Sequence, residues 1–163
     1  MARNRFETLG DTLVERLVNL DGVGVEVGFD DRIHPGSGLP TNELARILLK
    51  GFGKQGEGRW IPARDYLTPF RDEIRMGQAR LLKQAVQLTL KGKDASGPLE
   101  KLRTLAHETL SRVMDGFYDP ENAPRTIRKK GRDDPLNDRG DLIDSIVARV
   151  IHAAATPRSR RPR

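Results

Sequence analysis

Between Thr68 and Val113 the chain repeats the helical period twice, with one interruption. Phe70, Ile74, Leu81, Leu82, Ala85 and Leu88 recur at steps that hold them on one face of a helix over residues 68–91. Leu102, Leu105, Ala106, Leu110 and Val113 do the same for a second helix over 98–115, and Pro98 suits its first turn. The stretch between them is the short turn Gly-Lys-Asp-Ala-Ser-Gly-Pro. Two helices joined so closely bury their apolar stripes by folding back on each other as an antiparallel hairpin. The remaining elements must fit around that hairpin.

They are smaller. Phe6, Leu9, Leu13, Leu17 and Leu20 predict an amphipathic helix over 4–20, which Asp21-Gly22 ends. Val23, Val25, Val27 and Phe29 alternate with Gly24, Glu26 and Gly28, the pattern of a half-buried strand. The glycines predict close packing on the strand's other face. Residues 30–40 form a loop rich in Gly, Pro and Asp. Thr41 is then the candidate cap of a short helix to Lys50 that carries Leu44, Ile47 and Leu48. Residues 51–59 hold four glycines and form a second flexible loop. The segment from Trp60 to Leu67 is extended, because the residue before Pro62 is held out of the helical region. A helical turn is expected over 125–130, and another leads into a strand over 146–152. The predicted fold class is α+β: a small antiparallel or mixed sheet packed by several helices, including the long hairpin. Residues 1–155 are expected to form a single domain, and 156–163 a disordered, flexible basic tail.

Composition limits the chemistry. Hydrophobic residues make up 36% of the 163 and charged residues 32%, which is enough for one modest core. With five Phe, two Tyr and one Trp, that core is mainly aliphatic. The absence of Cys excludes disulfides, thiolate nucleophiles and Cys-ligated zinc. No apolar run reaches the length of a bilayer span, and residues 1–17 lack the apolar block of a signal peptide, so a soluble, non-secreted protein with no membrane partner is expected. Net charge is +6, and Arg158, Arg160, Arg161 and Arg163 supply four of those charges. The body is therefore nearly balanced.

Four patterns were weighed as sites. Asp133, Asp134, Asp138, Asp141 and Asp144 offer oxygen ligands for a hard cation, but Arg132 and Arg139 interrupt them and the spacing is not that of a calcium loop. Asp138 or Asp141 serves better as the cap of the following helical turn. His34, His107 and His152 have no zinc spacing and read as ordinary surface or edge histidines. Gly53, Gly56 and Gly58 do not match a phosphate loop, since no Lys-Ser/Thr pair follows the last glycine. Arg125, Arg128, Lys129, Lys130 and Arg132 could meet phosphates, but no aromatic residue interleaves with them. A solvated face or a surface complementary to an acidic neighbour suits the run better. No catalytic, metal or cofactor site is expected, and the chain is not expected to be an enzyme.

Two segments carry a family resemblance. In the first, Thr126-Ile127, Lys130-Gly131, Pro135-Leu136, Asp138, Gly140, Leu142 and Ser145-Ile146 follow in that order. In the second, Ile61, Pro62, Ala63, Arg64 and Leu67 lead into the long helix, with Phe52-Gly53 upstream. Together they resemble the tailed-phage neck or tail-completion proteins, also described as minor tail or virion morphogenesis proteins. The similarity spans residues 23–152. Asp65 stands where that family usually has Pro, and Asn137 and Arg139 replace an apolar residue and a Thr.

The resemblance implies a non-enzymatic structural protein of the virion. It would sit at the head–tail junction as a homo-oligomeric ring, a hexamer or a multiple of six. Its neighbours would be connector or adaptor proteins and the tail terminator or tail tube, and genomic DNA would pass through its lumen. Synthesis would take place in the bacterial cytoplasm. Residues 126–146 then act as a structural elbow facing a neighbour, and the two glycine-rich loops become ordered only against neighbours. The rival expectation is a small basic DNA-binding accessory protein that uses 125–132 and 158–163.

Overall fold

The structure, a computed structural model, describes residues 22–54, 60–136 and 139–152. In chain order it runs through strand β1 (Val23–Phe29), helices α1 (Thr41–Lys50), α2 (Leu67–Leu90), α3 (Ser96–Asp115) and α4 (Pro124–Lys130), and strand β2 (Ile146–His152). The class is α+β, with one two-stranded antiparallel sheet among the described residues. The helix expected over 4–20 and the basic tail lie outside the described residues.

The hairpin forms as the periodicity requires. Helix α2 ends with Gly92 N–H donating to Thr89 O at 2.9 Å and Lys93 N–H to Leu88 O at 2.9 Å, which satisfies its last carbonyls. Across the hairpin, Ile74 and Leu81 of α2 meet Leu102 and Ala106 of α3. The sheet covers another part of α3. Val25 and Val27 reach the Leu102–Ala106 end. Phe29 and Ile146 join Leu110, Val113 and Met114 at the other. Val27 and Phe70 touch both groups, so the core is continuous along α3.

The strands pair from Val23 with His152 through to Phe29 with Ile146. Asp30 N–H then donates to Ser145 O at 2.9 Å, which carries the pairing one step past the sheet. Val25, Val27 and Phe29 face the core as their alternation predicts. The expectation of close packing over the glycines fails among the described residues: a Cβ at Gly28 would meet nothing within 4 Å. A Cβ at Gly24 would meet Ile151 Cγ1 at 4.0 Å.

Local chemistry corrects two capping expectations. Thr41 does not cap α1. Pro40 holds the cap position with no side-chain bond. The Thr41 hydroxyl donates to the Asp30 carbonyl at 2.7 Å and to its carboxylate at 2.9 Å. It is the buried pin between strand and helix. Within the loop over 30–40, His34 N–H donates to Leu39 O at 2.8 Å and Gly38 N–H to His34 O at 2.9 Å. Asp141 caps nothing either. Ile143–Ser145 is a single 3-10 turn with Leu142 at its cap position, and Ser145 Oγ bonds Leu142 O at 2.7 Å. Asp138, the other candidate cap, lies outside the described residues.

Leu110 is 2% exposed where α3 meets the sheet, and Met76 on α2 is 80% exposed. Leu110→Ala should lower unfolding stability by about 2–5 kcal/mol through lost burial and a residual cavity. Met76→Ala should stay within about 0.5 kcal/mol. Urea unfolding of the two variants checks both.

Candidate functional site: a cleft between the two motif segments

The segment before α2 is placed by backbone bonds on both sides. Phe52 N–H donates to Ile61 O at 2.9 Å and Ile61 N–H to Phe52 O at 2.8 Å. Arg64 N–H donates to Leu48 O at 2.8 Å, tying the segment to the end of α1. Tyr66 turns into the core, where its hydroxyl donates to Ala45 O at 3.1 Å and its ring meets Phe29 edge-on, with centroids 6.1 Å apart. Burial pushes its phenol up to about 12 from 10.0.

Arg64 is 4% exposed. Its Nε donates to Pro120 O at 3.4 Å and its Nη2 to Asn122 Oδ1 at 3.2 Å. Desolvation lowers its pKa, opposed by the charge of Asp133. Arginine nevertheless stays protonated. Asp133 acts on it from a distance, since its carboxylate accepts from Asn122 N–H at 2.9 Å. Among the described residues no carboxylate comes within 4.0 Å of the Arg64 side-chain nitrogens. The Asn122 Nδ2 group is buried without a partner. A buried cation held by neutral acceptors and an idle donor beside it are both costly unless something else satisfies them.

Both side chains lie on the wall of one cleft of about 480 Å³. Ile61, Pro62 and Arg64 of the first motif line it, as do Thr126, Lys130, Pro135, Leu136 and Leu142 of the second. The two segments singled out in the sequence therefore meet in space. Other motif residues do different work. Ala63 is exposed and Ile127 half-buried, and neither lines the cleft. Gly131 ends α4 in a left-handed turn at φ 78, with its N–H donating to Ile127 O at 2.8 Å. Gly140 turns the chain at φ 92. Ser145 and Ile146 are buried where the chain enters β2.

The other candidates disperse. Arg125, Arg128 and Lys129 are exposed on α4. Arg132 pairs with Asp134 at 2.9 Å, and Lys130 Nζ donates to Asp134 O at 3.0 Å. Among the described residues no group of three metal-ligating side chains is gathered. His34 lines the cleft and accepts from Ser37 N–H at 3.2 Å, His107 is half-buried on α3, and His152 is exposed at the end of β2. Gly56, Gly58, Arg158, Arg160, Arg161 and Arg163 lie outside the described residues. Among those described, no helix is long and apolar enough to cross a membrane. Reading the sequence missed Asn122 altogether and took Arg64 only as a motif residue. No local signal marks either as buried.

No family model, curated relative or solved structure matches the chain.

Gly51 has φ 74, and a Cβ there would stand 2.9 Å from Ala63 N and from Ile61 O. Both are backbone atoms that cannot swing aside. Gly51→Ala should therefore cost about 1–3 kcal/mol and loosen the segment that carries Arg64. Urea unfolding gives the first effect, and faster amide exchange at Ile61 the second. Tyr66 supplies a pH test. A phenol whose pKa is raised from 10.0 to about 12 on folding gives stability that is complete below pH 10 and lost as pH climbs toward 12. The fall in urea midpoint between those pH values should be smaller in Tyr66→Phe than in the parent chain.

Proposed function

We propose that the chain is a non-enzymatic structural protein of a tailed bacteriophage, acting in the neck or in tail completion as a ring at the head–tail junction. The observation that carries this reading is the convergence of the two family-like segments on one cleft, although about 60 residues separate them in sequence. Residues that match a family pattern in two places and then meet in space behave as one functional unit. The loops bordering the cleft add support. Ile33, Phe52 and Trp60 are exposed apolar side chains on them. Such side chains on a backbone already fixed by hydrogen bonds suit contact between subunits, because little ordering entropy is lost on docking. Head-to-tail contacts of this kind that close by rotation give a ring, and the family resemblance implies six subunits or a multiple of six. Its neighbours are connector or adaptor proteins on the head side and the tail terminator or tube on the other.

Electron microscopy of a lysate made without this gene tests the reading. DNA-filled heads beside finished, unattached tails are the expected result. Normal infectious particles would remove the protein from the junction.

A second reading, a small basic DNA-binding accessory protein, draws on exposed Arg125, Arg128 and Lys129. It is the weaker one, because Arg132 and Lys130 of the same run are turned onto Asp134. DNA binding that falls steeply with salt, and that is lost on neutralising those three residues, would favour it.

A further inference from the structure

Asn122 is 8% exposed, and its orientation is fixed. A guanidinium has donors only, so the oxygen of the Asn122 amide must face Arg64 and its nitrogen must face elsewhere. That nitrogen has no partner. Arg64 thus brings a full positive charge to the cleft wall, with the buried, unpartnered amide nitrogen of Asn122 beside it. Lys130 and Arg139 add positive charge to the same lining. Around these groups the wall is apolar, built in part from Leu44, Leu48, Trp60 and Leu136.

We propose that this cleft binds the carboxylate of an Asp or Glu side chain carried, between apolar residues, on an extended segment of a partner protein. The carboxylate pairs with the charge of Arg64, and a planar two-oxygen acceptor matches the geometry of a guanidinium. The flanking apolar side chains cover the leucines and Trp60. A cleft of about 480 Å³ holds a few residues of a peptide. Glu121 and Asp141 also line it, and they oppose a polyphosphate or a nucleic-acid backbone while leaving room for one carboxylate. The proposal stands apart from the ring: the isolated chain binds such a segment whether or not it assembles at a phage neck.

Trp60 is the chain's single tryptophan and is 45% exposed at the cleft, so its fluorescence reports occupancy. The full chain is titrated with acetyl-Ala-Leu-Asp-Leu-Ala-amide, with the same peptide carrying Asn for Asp, and with inorganic phosphate. A saturable blue shift with the Asp peptide is expected, with at least tenfold weaker binding of the Asn peptide and no displacement by equimolar phosphate. Arg64→Gln removes a buried, hydrogen-bonded cation and risks the fold itself, so Asn122→Asp is the second variant. It sets a carboxylate of the same size against Arg64, so it should hold or raise the melting temperature and weaken the Asp peptide at least tenfold. Any of four results overturns the proposal. They are no response of Trp60 to the Asp peptide, equal affinity for the two peptides, phosphate binding as tightly as the Asp peptide, or unchanged Asp-peptide binding in a folded Asn122→Asp.

Discussion

Burial of helix α3 is the constraint on which the other elements depend. Its Leu102 and Ala106 are covered by Ile74 and Leu81 of α2, and its Leu110, Val113 and Met114 by the sheet and by Ala45 of α1. A helix wrapped on several sides gives each neighbour an apolar surface that the neighbour could not supply itself. A two-stranded ribbon is marginal in water on its own. Here it persists because Val25, Val27 and Phe29 are pressed onto α3 and α2. The elbow is anchored the same way, through Leu136, Leu142 and Ile146, which reach the core around Leu110 and Met114.

That anchoring explains how a segment so rich in charge holds a defined shape. Among the described residues of 126–146, the charged side chains are exposed or half-buried, while buried Leu136, Leu142, Ser145 and Ile146 fix the middle and the end. The cleft follows from this arrangement. The elbow and the segment from Ile61 to Arg64 are each seated on the same core but do not close on each other, and the space between them is lined by both. Arg64 falls at the back of that space. Its burial is tolerated because Pro120 and Asn122 supply acceptors and Asp133 lends charge from a distance, an arrangement that keeps the cation in place without neutralising it.

Much of the architecture was legible. The hairpin could be read because helical periodicity is a local property, repeated often enough in 68–113 to leave no alternative. Strand 146–152 and the end of α4 at Gly131 were readable for the same reason, through alternation and through a glycine where a left-handed turn is needed. Capping was read wrongly at Thr41 and Asp141. A hydroxyl or carboxylate near a helix start can bond the helix or something distant, and Thr41 chose Asp30, which a strand pairing places beside it.

By itself, then, the sequence determined which of the described segments are helix or strand, and that their apolar faces require one aliphatic core. These follow from spacing within a few residues. The tertiary structure alone decided the register of β1 on β2, the meeting of the two patterned segments in one cleft, and the burial of Arg64 against Asn122, 58 residues away. Each of these depends on which distant groups the core brings within a hydrogen bond of one another, and that distance is set by packing rather than by order along the chain.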